Sequence, residues 1–275
     1  MRANLLARDV TRELSCVSAC AAFEARCMLK EYCGVTLEDI YLQKEIGDIS
    51  LEPLKAAVKK RLEHIPLQYI LGKWEFMGND FYVDENVLIP RPETELLCEC
   101  LADKMGEDSI VYDLCAGSGC IAVSIAKMTD AHVYAFEKYT NTFALLKKNI
   151  AYHNAEQVIP ILCDITEAPP KDLPQADFIL SNPPYIESAL IPDLQSEVLA
   201  EPKAALDGGE NGLLFYEAIA HNYVPLLKPG GWLALEMGEG QEAALLEIFN
   251  SLQHIQTLKD YSGIDRVMVF RKEYP

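Results

Sequence analysis

The sequence lacks any apolar run long enough to cross a bilayer. Its first residues, Met1-Arg2-Ala3-Asn4-Leu5-Leu6, also lack the uninterrupted apolar stretch of a secretory signal. Membrane association is therefore not expected, and a cytoplasmic setting is. Basic residues are scarce: 24 Lys and Arg stand against 42 Asp and Glu, a formal charge of −18. Phosphate neutralisation dominates non-specific affinity for nucleic acid. The densest basic group, Lys59-Lys60-Arg61, reads as one solvated helix face. Direct binding of nucleic acid is thus disfavoured. Paired C-x-x-C spacing is missing as well, although there are 9 cysteines. Cys16, Cys20, Cys27 and Cys33 share the first stretch, Cys98 and Cys100 flank Glu99, and Cys115, Cys120 and Cys163 lie in apolar surroundings. Reduced, mostly buried thiols are expected, with no metal site and no disulfides. Repeats and low-complexity segments are absent too.

What is present suffices for one large or two modest domains: 275 residues, half of them hydrophobic. Residues 1–71 read as a small helical domain. Val10, Leu14, Val17, Ala21, Met28 and Tyr32 recur at helical steps, and Gly34 ends that helix. Thr36 and Asp39 look like the start of a short successor. Ser50 can cap a helix carrying Leu51, Leu54, Val58 and Leu62 on one side, and Pro66 permits a further turn. Residues 72–91 read as a β-hairpin connector: Trp74-Glu75-Phe76 and Phe81-Tyr82-Val83 around the loop Met77-Gly78-Asn79-Asp80, then Val87-Leu88-Ile89.

Over 92–275 strand and helix patterns alternate. Strands are expected at Ile110–Leu114, His132–Phe136, Val158–Leu162, Phe178–Ser181 and Trp232–Glu236, with helices over 92–104, 119–128, 140–153, 211–227 and 241–251. Alternation of this kind implies an α/β fold with a mostly parallel sheet covered on both faces. Gln256–Asp260 and Arg266–Arg271 are separated only by Tyr261-Ser262-Gly263-Ile264, which forces an antiparallel C-terminal hairpin.

Ligands in such sheets bind beyond the strands' carboxyl ends. There the first strand runs into Asp113-Leu114-Cys115-Ala116-Gly117-Ser118-Gly119, whose glycines let backbone approach a ligand at a helix N-terminus. Glu137 follows at the end of the second strand, where a carboxylate accepts from ribose hydroxyls. Asp164 ends the third, placed for an adenine amino group. Together these point to an adenosine-type cofactor, which nicotinamide and sulfonium chemistries share. The fourth strand runs into Asn182-Pro183-Pro184-Tyr185 and should lie beside the first. The prolines fix φ and remove two backbone donors, leaving a rigid loop of outward carbonyls. Asn182 adds a side-chain acceptor and Tyr185 an aromatic face. Holding both N–H groups of a planar nitrogen between the Asn182 side-chain oxygen and the Pro183 carbonyl would orient it for methyl transfer, without a base or a metal.

These residues resemble the HemK/PrmC family of protein-(glutamine-N5) methyltransferases acting on peptide chain release factors. The markers are Leu88-Ile89-Pro90-Arg91-Pro92-Glu93-Thr94-Glu95, the glycine turn, Asn182-Pro183-Pro184-Tyr185-Ile186, Glu201-Pro202 with Ala205-Leu206, and Gly263-Ile264-Asp265-Arg266-Val267. The resemblance implies a class I S-adenosylmethionine-dependent, Rossmann-like methyltransferase fold behind a helical domain that helps hold the protein substrate. It implies methylation of the glutamine of a release factor's Gly-Gly-Gln motif, and so an effect on translation termination; a monomer is expected. Cofactor contacts are implied at Asp113, Cys115, Ala116, Gly117, Ser118, Gly119, Glu137, Asp164, Ile165 and Asn182. Substrate contacts are implied at Asn182, Pro183, Pro184, Tyr185, Arg91 and Glu93, with Asn182, Pro183 and Tyr185 catalytic. Two residues depart from the family pattern: Glu137 stands where Asp is usual, and Ile165 where an aromatic residue can stack on adenine. By physics alone Arg91–Glu95 is equally a proline-started helix with early carboxylates at its positive end. Rival readings are a DNA adenine N6-methyltransferase, a glutamine methyltransferase of a ribosomal protein, an NAD-dependent oxidoreductase and a non-catalytic binding module.

Overall fold

In the computed structural model, which describes residues 1–47 and 49–274, the chain forms two compact units. The first comprises Met1–Lys73 with Gln195–Ala200, and the second Trp74–Leu194 with Glu201–Pro275. Among the described residues no helix is long and apolar enough to cross a membrane.

The first unit is helical: α1 (Ala3–Leu14), α2 (Ala21–Cys33), α3 (Leu37–Tyr41), α4 (Glu52–Leu62), α5 (Leu67–Leu71) and, from the later segment, α9 (Ser196–Leu199). The single long helix expected up to Gly34 is in fact α1 and α2. Ser18 interrupts it, because its hydroxyl accepts from Cys20 N at 3.0 Å and donates to Glu24 at 2.7 Å, competing with the helical ladder. Gly34 does terminate α2, at φ 64°. Thr36 and Asp39 form a reciprocal capping box on α3. Ser50 is not the cap of α4; Leu51 occupies that position, and Leu62 is exposed. Arg61, expected in solvent, is 1% exposed. Its guanidinium donates to Glu24 at 2.8 Å and pairs with Glu197 of α9. An unpaired guanidinium could not be buried here, so the two carboxylates decide where Arg61 goes.

The second unit begins with the hairpin β1 (Lys73–Phe76) and β2 (Asn79–Tyr82). Its loop is Met77-Gly78 alone, both at positive φ, so Asn79 and Asp80 belong to the strand rather than the loop. Val87-Leu88-Ile89 lies outside the strands. The main sheet has seven strands in the order β5-β4-β3-β6-β7-β9-β8. These are β3 (Ile110–Leu114), β4 (His132–Glu137), β5 (Val158–Leu162), β6 (Ala176–Ser181), β7 (Leu227–Glu236), β8 (Gln253–Lys259) and β9 (Asp265–Arg271). The first five are parallel, and β9 pairs antiparallel with both β7 and β8. Asp260 closes the last turn, accepting from Ser262 N, Ile264 N and the Arg266 guanidinium.

Both faces of the sheet are covered, which explains why its central strands read as unbroken apolar runs. On one face Val111, Val133, Phe178 and Val267 pack with α6 (Pro92–Ala102), α7 (Cys120–Thr129) and α8 (Thr140–Tyr152). On the other, Tyr112, Phe136, Ile179 and Met268 pack with α10 (Leu214–Ala218) and α11 (Glu242–Ile248). The continuous helix expected over 211–227 is broken up. Gly212 has φ 71°, Ile219–Tyr223 widens into a π turn, and Pro225 enters a 3₁₀ turn because it has no N–H to continue a helix. The π turn carries Asn222, whose amide donates to the carbonyls of Ile165 and Glu167. Among the described residues the cysteines are free, and Cys98 and Cys120 alone are buried, fewer than expected.

Asn149 on α8 is completely buried. It accepts from Tyr82 N at 2.8 Å and donates to Tyr82 O and Ser118 O at 3.0 and 2.8 Å. Asn149→Ala should cost about 2–4 kcal/mol, because each of those backbone groups loses its partner. Urea denaturation measures this, and an unchanged midpoint would count against the assignment.

Candidate functional site

The parallel strands end on a common edge, and a cavity of about 460 Å³ opens there. Leu114 and Ser181 are paired across β3 and β6, and the Ser181 hydroxyl donates to Leu114 O at 2.5 Å. The Cys115–Gly119 turn and the Asn182–Tyr185 segment therefore leave the sheet side by side. Cys115, Gly117 and Gly119 all have positive φ, at 64°, 54° and 82°. For Cys115 this is a strained conformation, fixed by its place between strand and helix. At Gly119 the positive φ calls for glycine, and a Cβ there would press on the end of the Leu146 side chain. Cys115, Ala116, Gly117 and Ser118 line the cavity.

Asp113 has a different position from the one expected. It is sealed in the core, accepts from Ala122 N at 3.0 Å, and supports the start of α7 from beneath. Burial pushes its carboxyl up to about 8. Glu137 does line the cavity. It accepts from Gly117 N at 3.1 Å and from Lys138 N and Tyr139 N at 2.8 Å each. Burial raises its pKa, and those amides work in the opposite direction. Asp164 pairs with Lys138 at 2.6 Å and accepts from the Thr166 amide and hydroxyl. Burial alone would raise its carboxyl, but Lys138 and Thr166 outweigh this and hold it low. Ile165, also lining the cavity, is an apolar wall 3% exposed.

Of the tetrapeptide, Asn182 and Pro184 line the cavity, whereas Pro183 and Tyr185 are not among its lining residues. Behind it, a Cβ on Gly208 would lie 2.8 Å from Tyr185 Cα and 2.9 Å from Pro184 O. Gln241 donates to Tyr185 O at 3.1 Å. The loop is thus held by its own backbone contacts. Asn182 Nδ2 donates to the Thr94 hydroxyl at 3.1 Å, and that hydroxyl donates to Glu236 at 2.6 Å. The Tyr185 hydroxyl reaches the other Glu236 oxygen at 3.4 Å.

Arg91 lines the cavity and is paired with Glu201, which also accepts from Ile89 N at 3.0 Å. Glu93 is not among the lining residues, and Glu95 accepts from Met77 N at 2.7 Å. The Arg91–Glu95 segment therefore contributes two cavity residues, Arg91 and Thr94, and one hairpin anchor, Glu95. Thr94, Glu201, Gln241 and Glu236 were not predicted as site residues, although Thr94 and Glu201 stand within the family markers. Glu236 carried a readable signal, since it ends β7 as Glu137 ends β4, while Thr94 sits inside the quoted Arg91–Glu95 motif without a periodic cue. His132 begins β4 and His153 bonds Asp80 O, so neither meets this edge.

Known proteins place this geometry in context. Residues 6–72 match the PrmC N-terminal domain family, and residues 78–201 the TRM5/TYW2 methyltransferase domain family. The release factor glutamine methyltransferase of Geobacter sulfurreducens is 38% identical over 90% of this chain and 88% of its own length. That of Thermodesulfovibrio yellowstonii is 36% identical over 86% and 88%. Among solved structures, a methyltransferase from Pyrococcus furiosus superposes with a TM-score of 0.56 at 18% identity, covering 80% of this chain and 98% of that one. The tRNA m1G37 methyltransferase of M. jannaschii gives 0.51 at 16%, covering 74% and 57%. At such identities these two show a shared fold and nothing more.

Asp113 gives a pH test. Its carboxyl goes from 3.8 to about 8, so across that window the folded state binds a proton that the unfolded chain releases. Its contribution therefore weakens folding as pH rises through the window. Denaturation of Asp113→Asn at several pH values should show a shallower loss of stability than the native chain. Parallel curves would refute the assignment.

Proposed function

This chain belongs to the release factor glutamine methyltransferase family, and we propose that its substrate is the Gly-Gly-Gln glutamine of a peptide chain release factor, methylated at N5. It is an S-adenosylmethionine-dependent protein glutamine methyltransferase with the Rossmann-like methyltransferase fold. The observation that carries the finer reading is that Asn182 and Pro184 line the same cavity as the Cys115–Ser118 turn.

The residues at the cavity fit the cofactor. A carboxylate offers about four lone-pair sites, and three backbone amides use three of those on Glu137. Capacity is left for a ribose hydroxyl. The longer side chain in place of the usual Asp is accommodated because Gly117 N, Lys138 N and Tyr139 N hold its head. Ile165 offers an apolar face to adenine in place of an aromatic one, and Asp164 stands beside it. When bound, S-adenosylmethionine supplies a methyl carbon activated by a positive sulfur.

The protein's part is to make a poor nucleophile serviceable. An amide nitrogen shares its lone pair with its carbonyl. Accepting an N–H group on Asn182 Oδ1 would orient that nitrogen and stabilise the positive charge that develops on it. Pro183 and Tyr185, outside the cavity lining, belong to the loop that carries Asn182, and Arg91 would border the approach to it. The charge of −18 disfavours duplex DNA as the rival acceptor.

Mass spectrometry of a purified release factor, after incubation with enzyme and S-adenosylmethionine, should show one added methyl on the Gly-Gly-Gln glutamine. Methyl transfer to duplex DNA or to a ribosomal protein, with the release factor untouched, would overturn the reading. Asn182→Ala should lower kcat about 100-fold, the scale of losing one preorganised polar contact at a reacting centre. The fold should survive, and near-full activity would contradict the role given to Asn182.

A further inference from the structure

A carboxamide is nearly symmetric in shape and opposite in chemistry at its two ends, one accepting and the other donating. Only the oxygen end of Asn182 can accept an amide N–H from substrate. Something must therefore decide which way round the side chain sits, and packing alone distinguishes the ends poorly.

We propose that Thr94, aligned by Glu236, is a positioning residue that turns the Asn182 side-chain oxygen toward the cavity. This rests on the reading of Asn182 as an amide acceptor. A hydroxyl has one proton to give. The Thr94 proton goes to Glu236 at 2.6 Å, within the short range of an O–H···O⁻ bond. Thr94 is then left with lone pairs only, and the end of Asn182 that can meet a lone pair is Nδ2, found at 3.1 Å. The reversed side chain would set acceptor against acceptor. Thr94 and Glu236 are 2% exposed each, so bulk water has little access to these bonds.

The arrangement depends on Glu236 being ionised. An ionised carboxylate only accepts, so the direction of both bonds follows from its charge. A protonated Glu236 can donate to Thr94, whose own proton is then free to turn to Asn182 and favour the reversed amide. Burial lifts the Glu236 carboxyl to about 7, against Thr94, the Arg266 charge and the Tyr185 hydroxyl, while Glu93 pushes it further up. Cys120 and Tyr216 are the other titratable groups facing it, and the Tyr216 hydroxyl donates to its backbone carbonyl at 2.9 Å. Ionisation near neutrality therefore controls the polarity of a site whose nucleophile does not itself titrate.

The test compares Thr94→Val, Thr94→Ser, Glu236→Gln and Asn182→Ala by steady-state methylation of the release factor. Calorimetric binding of S-adenosylmethionine and thermal melts accompany it. Thr94→Val should lower kcat roughly tenfold, the worth of one hydrogen bond at a reacting centre, with cofactor Kd within about twofold. Thr94→Ser should restore kcat to within about twofold, since it keeps the hydroxyl. The native kcat should fall on the acid side of about 7, and that limb should be missing in Glu236→Gln. Native kcat in Thr94→Val, or a Ser variant as impaired as the Val one, would overturn the proposal. If Thr94→Val melts early, the pH profiles decide, and an unchanged acid limb in Glu236→Gln rejects it. Full activity in Asn182→Ala would bring down the site reading itself. An inactive Asn182→Ala beside an intact Thr94→Val removes only the relay.

Discussion

The pairing of β3 with β6, Leu114 opposite Ser181, is the contact on which the site depends. Parallel neighbours deliver their carboxyl ends to the same edge, and this register delivers the Cys115–Gly119 turn and Asn182–Tyr185 at the same height. Side chains alternate along a strand, so a slip of one residue would exchange the two faces and drive buried Ile179 and Leu180 through each other's places. The Ser181 hydroxyl on Leu114 O fixes the register at the point where both loops leave. Neither loop needs flexibility to meet the other. Both are stiff, one through positive φ and helix capping, the other through consecutive prolines.

The same edge gathers acid. Glu137 and Glu236 end β4 and β7, and Asp164 follows the end of β5 by two residues, in a chain already carrying −18. Each is stabilised differently. Glu137 is held by backbone amides, Asp164 by an ammonium and a threonine, and Glu236 by hydroxyls with an arginine charge nearby. The differences track the tasks assigned to them. An amide-bound carboxylate stays put and can still accept from a ligand. A carboxylate held only by hydroxyls stays close to its proton, and its state can govern its neighbours. Asp113, deeper still, serves the turn from beneath.

The strand–helix alternation was legible because both faces of the sheet are buried, which writes long apolar runs, and because Gly117, Gly119 and Pro183-Pro184 punctuate the functional loops. Helix breaks were poorly legible. Periodicity carries straight across Ser15–Cys20, since both α1 and α2 present apolar residues at helical steps, and the break depends on one serine bonding Cys20 and Glu24. Likewise nothing in 211–227 announces a π turn. In the site, residues at strand ends with a strong chemical preference were readable. Thr94 was not, because its hydrogen-bond partner Glu236 lies 142 residues away in sequence. Arg61 was misread for the same reason: its partners Glu24 and Glu197 are brought together only by tertiary structure.

That buried guanidinium has a consequence for the order in which the protein is made. The helical unit is discontinuous, with Gln195–Ala200 belonging to it along with Met1–Lys73. During synthesis the first helices emerge early, and of the two partners of Arg61 only Glu24 emerges with them. Glu197 emerges 136 residues after Arg61. Until it does, Arg61 is paired with Glu24 alone and lacks its second ion pair. The full set of contacts around Arg61 therefore waits on chain that follows the tetrapeptide, so the N-terminal helices cannot complete their own unit from their own sequence.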